Sequence, residues 1–73
     1  MNANELFEKA IVRIKIGSIR KWAVSAQNKP KWVKIAGDAI NRGGRLSNPD
    51  YFAAYIASWV GSSAQAYEVV DHG

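Results

Sequence analysis

The chain has 73 residues, room for one domain over 1–73 and no second. Ten Lys and Arg against six Asp and Glu give a net charge of +4, and 48% of the residues are apolar, including three Trp. That balance argues against disorder of the whole chain. The absence of Cys excludes disulfides and thiolate metal sites. A chain this short buries only about 60% of the surface it exposes when unfolded, so its core is thin and must lean on aromatic side chains.

Asn4-Glu5-Leu6-Phe7-Glu8 opens a helix, with Asn2 or Asn4 as its cap and two acids near the positive end of the dipole. Phe7, Ala10, Ile11, Ile14 and Trp22 continue at helical spacing, which predicts one helix over about 4–26, weakened near Gly17. The same region contains a conflict. Val12-Arg13-Ile14-Lys15-Ile16 alternates and is β-branched, and Gly17-Ser18 then reads as a turn. A β-hairpin over 12–24, giving an α+β protein, is therefore the alternative.

Gln27-Asn28-Lys29-Pro30 breaks the first helix, and Pro30 suits the first position of a second one running to about Asn41. Its apolar stripe is Trp32, Val33, Ala36, Ala39 and Ile40, and Gly43-Gly44 stands where a left-handed cap belongs. Asn48-Pro49-Asp50 starts a third helix through Tyr51 to Val60, with Phe52, Ile56 and Trp59 or Val60 inward and Ala53, Ala54 and Ala57 permitting close approach. Gly61 stops it. Ser62-Ser63 caps a short last helix from Ala64 to about Val70, and 71–73 form a fraying tail. The expected fold is all-α: three main helices and a short C-terminal one around Phe7, Ile11, Ile14, Trp22, Trp32, Val33, Ile40, Phe52, Ile56 and Trp59.

Enzyme chemistry finds little to use. There is no Cys nucleophile, and the one His, His72, lies in the tail. Arg42-Gly43-Gly44-Arg45 has neither P-loop nor dinucleotide-binding spacing. Glu5 and Glu8 are read as helix-start acids rather than an acid–base pair. No enzyme activity, metal, cofactor or small-molecule substrate is expected. The longest near-apolar run, Tyr51 to Val60, is half the roughly 20 residues that a membrane span needs. Acids before any apolar run are unlike a signal peptide, which points to the cytoplasm.

Charge is sorted along the chain. Residues 1–45 hold all ten Lys and Arg and three acids, a net +7, whereas 46–73 hold three acids and no Lys or Arg, a net −3. A basic face follows, and Arg13, Arg20, Lys31, Lys34, Arg42 and Arg45 are the candidate partner- or nucleic-acid-binding residues. A helix-turn-helix reading of 30–60 fails, because its second helix carries no basic residue to enter a major groove. Nucleic acid would be met through phosphates, with little sequence preference. Trp22 and Trp32 fit the apolar stripes and are read as core. Arginines flanking a flexible joint equally suit an acidic groove on a protein.

In length, charge and plainness the chain resembles the short bacteriophage proteins that bind host RNA polymerase. That resemblance implies a non-enzymatic regulator that binds an RNA polymerase subunit in the cytoplasm of a bacterial host and inhibits or redirects transcription. The alternative is a sequence-nonspecific DNA- or RNA-binding protein. A secreted cationic antibacterial polypeptide is a poorer fit, because it needs a strongly amphipathic, membrane-seeking helix, and Glu5, Glu8, Asp38 and Glu68 count against one.

Overall fold

The computed structural model describes residues 1–60 and 68–71. They form four helices: α1 (Ala3–Ile11), α2 (Gly17–Val24), α3 (Lys29–Arg42) and α4 (Pro49–Ser58), with a 3-10 turn, Arg45–Ser47, between the last two. The fold is a small all-α bundle, and the described residues contain no strand. α1 packs on both α3 and α4, α2 rests on α3, and the 3-10 turn wedges between α3 and α4.

The start of α1 is a capping box. The Glu5 N–H donates to Asn2 Oδ1 at 2.9 Å, and the Asn2 N–H donates back to Glu5 Oε1 at 3.3 Å. Asn2, rather than Asn4, is therefore the cap. The long first helix expected from the sequence is two helices. α1 tightens at its end, where the Arg13 N–H donates to the Ala10 carbonyl and the Ile14 N–H to that of Ile11. The chain then runs extended through Ile14, which forms an isolated antiparallel bridge with Val70. The Lys15 N–H donates to the Val69 carbonyl at 2.7 Å and the Asp71 N–H to that of Arg13 at 2.6 Å. Ile14 and Val70 are both buried. Of the β-branched alternation, Val12 and Arg13 turn at the end of α1 and only residues 14–16 run on as an extended segment, whose partner is Val70, so the local hairpin does not form.

Gly17 opens α2 instead of weakening a continuous helix. The Arg20 guanidinium donates to the Ile14 carbonyl and closes this bend. At the other end of α2, Ser25 Oγ and Asn28 Nδ2 both donate to the Trp22 carbonyl, and Asn28 Nδ2 also donates to Ser25 Oγ. These bonds satisfy the Trp22 carbonyl in the last turn of a short helix and tie it to the start of α3. α3 follows with Pro30 in its first turn.

Gly43 is the left-handed cap that the sequence predicts, with φ 66° and its N–H shared between the Ala39 and Ile40 carbonyls. Asn48 caps α4 through Oδ1, which accepts the Asp50 N–H at 2.9 Å, and Pro49 takes the first helical position. Most of the expected short last helix lies outside the described residues. Of its end, Glu68 and Val69 lie in a 3-10 turn and Val70 in the bridge. Asp71, expected to fray, is held by its bond to Arg13.

The core is Leu6, Phe7, Ala10, Ile14, Ala23, Trp32, Ala36, Ala39, Phe52, Ala53, Ile56 and Val70. Of the ten expected core residues, Phe7, Ile14, Trp32, Phe52 and Ile56 are buried, and Ile11, Trp22, Val33 and Ile40 pack on this cluster from its edge. Trp59 is a clear departure. It caps the end of α4 and leaves 58% of its surface exposed. Trp32 is the hub, fully buried, with Trp22, Phe52, Tyr55 and Trp59 all edge-to-face at centroid distances of 5.9–6.2 Å. Such contacts favour the ring quadrupoles and hold one aromatic cluster where a small core has few aliphatic layers.

Candidate binding cleft at the end of α3

Ile35, Asp38, Ala39 and Arg42 recur at i, i+3, i+4 and i+7, so they share one face of α3. Just beyond them Gly43 turns the chain, and the 3-10 turn carries Arg45 and Leu46 back toward α4. Ser47 Oγ donates to the Gly44 carbonyl at 2.6 Å and its N–H to the same oxygen at 3.0 Å, which stiffens the return. The α3 face, Gly44, Arg45 and Leu46, with Tyr55 from α4, enclose a cleft of about 290 Å³. Its floor is apolar: Ile35, Ala39, Leu46 and the Tyr55 ring. Arg42 and Arg45 are exposed and supply positive charge, and Asp38 supplies one negative charge.

Two cations lie over aromatic faces. The Arg45 guanidinium is 5.3 Å from the centroid of Tyr51, and Lys31 Nζ is 5.8 Å from that of Trp59. Tyr51, Tyr55 and Trp59 stand four residues apart along α4, so the aromatic stripe runs from the cleft toward the α2–α3 bend.

The six basic residues singled out in the sequence separate into two groups. Arg13 and Arg20 are half-buried and work within the fold. Arg13 Nε pairs with Asp50 Oδ1 at 2.8 Å and Arg13 Nη1 donates to the Lys9 carbonyl at 2.6 Å, tying the end of α1 to the start of α4. Arg20 holds the Ile14 carbonyl, as above. Lys31, Lys34, Arg42 and Arg45 are exposed. Arg42 and Arg45 are brought together in one cleft. Sequence reasoning missed Ile35, Asp38 and Leu46. The four-residue face of α3 was a readable signal for the first two, but Leu46 and Tyr55 join only through the folding-back of the 3-10 turn.

No protein-family model matches the chain, and no curated protein and no solved structure matches it. Among the described residues, no group of three or more His, Asp or Glu is placed to hold a metal ion. Among them, too, no helix is long and apolar enough to cross a membrane.

Proposed function

We propose that this chain is a non-enzymatic regulatory protein that seats its Arg42–Arg45 joint on an acidic surface of a larger complex, in the cytoplasm of a bacterial host. The observation that supports this reading is the cleft itself: two exposed arginines, on a joint fixed by a left-handed cap, beside an apolar floor. Arginine forks bind carboxylates at two points, and an apolar floor adds burial to charge. Resemblance in size and charge to phage inhibitors makes bacterial RNA polymerase the complex proposed, with inhibition or redirection of transcription as the outcome.

The test has two arms. Tagged protein is used to capture partners from a nuclease-treated bacterial lysate, and purified bacterial RNA polymerase is assayed for transcription with and without it. RNA polymerase subunits are expected in the captured material, with transcript yield altered. The double reversal Arg42→Glu/Arg45→Glu should abolish both effects while leaving helix content unchanged. Polymerase that is neither captured nor affected overturns the reading.

One observation favours a second reading. Tyr51 and Trp59 are exposed, each lies under a basic side chain, and such pairs can stack on bases while neutralising phosphate. A direct nucleic-acid binder would show log affinity falling linearly with log salt. A flat response refutes it.

A further inference from the structure

We infer that the cleft is a subsite for a short acidic–apolar peptide segment, in which one apolar side chain enters between Ile35, Ala39 and Leu46 while flanking carboxylates engage Arg42 and Arg45. This rests on the proposed function and deepens it by naming the chemistry that the partner presents.

Size is the first argument. At about 290 Å³ the cleft lies at the lower edge of the roughly 300–1,000 Å³ typical of small-molecule sites, and suits a side chain with its immediate backbone. Its open side favours an occupant that continues past it along the surface. A second argument is preorganisation. Gly43 fixes the chain direction at φ 66°, Ser47 ties the return to Gly44, and the Arg45 guanidinium already rests over Tyr51. Arg45 held this way loses less freedom on binding than a side chain on a loose loop.

Charge complementarity selects the occupant. The cleft carries two positive groups and one negative one, Asp38, on the same wall as Arg42. A continuous polyanion such as single-stranded nucleic acid would set a phosphate near Asp38 and leave the apolar floor uncovered. A peptide answers all three features: carboxylates for the arginines, an apolar side chain for the floor, and backbone N–H groups that Asp38 can accept.

The experiment titrates the full-length, isotope-labelled chain with a short blocked peptide whose core is Glu-Leu-Glu and follows backbone amide shifts. Parallel titrations use Gln-Leu-Gln and Glu-Ser-Glu cores and an oligothymidylate. The Glu-Leu-Glu peptide should shift the amides of Arg42, Arg45, Leu46 and Tyr55 saturably. Each altered peptide should bind at least about tenfold more weakly, equivalent to about 1.4 kcal/mol. Arg42→Glu/Arg45→Glu should lose binding. Lys9→Glu/Lys21→Glu, an equal charge change on exposed residues of α1 and α2, should retain it. No saturable binding overturns the inference. So does equal binding of the Glu-Ser-Glu peptide or tighter binding of the oligothymidylate. If capture of a protein complex survives and remains sensitive to the arginine reversal while the peptides do not bind, the peptide subsite fails alone. If capture fails as well, the proposed function fails with it.

Discussion

Gly43 and Gly44 are neighbours with the same side chain, yet the structure gives them opposite roles, and replacing each with Ala separates those roles. Gly43 has φ 66°, and an added Cβ would meet nothing within 4 Å, so the strain at that site is purely conformational. An L-residue held in the left-handed region costs about 1–2 kcal/mol. Gly44 has φ −88° and also has open space around an added Cβ, so Ala fits there without strain. Both substitutions restrict the unfolded chain alike, which favours the folded state by about 0.4–1 kcal/mol. That shared gain cancels in the comparison. The Gly43→Ala protein should therefore be about 1–2 kcal/mol less stable than the Gly44→Ala protein. For a domain of this size each kcal/mol moves the melting temperature by about 4–8 °C, so the two melts should be separated by roughly 4–16 °C. Urea unfolding followed by circular dichroism gives the free energies directly. Gly43→Asn should fall between them, since Asn tolerates the left-handed region better than Ala. Equal stability of the two Ala variants would refute the assignment of Gly43 as the cap and, with it, the claim that the Arg42–Arg45 joint is rigid.

Trp32→Ala removes the hub of the aromatic cluster and should cost about 3–5 kcal/mol. Native domains are stable by about 0.05–0.15 kcal/mol per residue, so much of this chain's stability would be gone, and near-UV circular dichroism should show loss of fixed aromatic packing. The Arg13–Asp50 pair, with about a third of each side chain exposed, should contribute less than about 1 kcal/mol in a double-mutant cycle measured by urea unfolding. Val70→Asp places a charge in a buried position and should detach residues 69–71 from 13–15. Hydrogen exchange should then show the Lys15 amide losing protection before the interior amides of α3, and uniform loss would show instead that this contact is part of the global unfolding unit.

Legibility followed the range of the deciding interaction. Pro30, Gly43 and Asn48-Pro49 act through neighbours in sequence, so the bounds of α3 and α4 could be read within a residue or two. Residues 12–17 could not. Helical spacing and β-branched alternation compete there, and the outcome is decided by Val70, which no local pattern reveals. Trp59 was misplaced for a related reason: it continues the apolar stripe of α4, but the helix ends at Ser58 and leaves the ring at the rim. Leu6 and Val70 were missed as core, the first because Phe7 beside it already occupied the inferred stripe. At the cleft, Arg42 and Arg45 were legible from the glycine pair between them. The floor was not, since Leu46 and Tyr55 meet α3 only after the chain has reversed. Arg13 and Arg20 looked like members of the same basic face because sequence cannot show that a cation is spent on a carbonyl or an acid inside the fold.

The bridge between Ile14 and Val70 also sets an order of events during synthesis. α1 emerges early, but Ile14 has no partner, and the Arg13 carbonyl and Lys15 N–H stay unpaired, until residues 69–71 have been made. A nascent chain therefore exposes one short, β-branched edge throughout the synthesis of α2, α3 and α4. Closing the loop between residues 14 and 70 is entropically costly, and the same contact is the one that hides this edge from other chains.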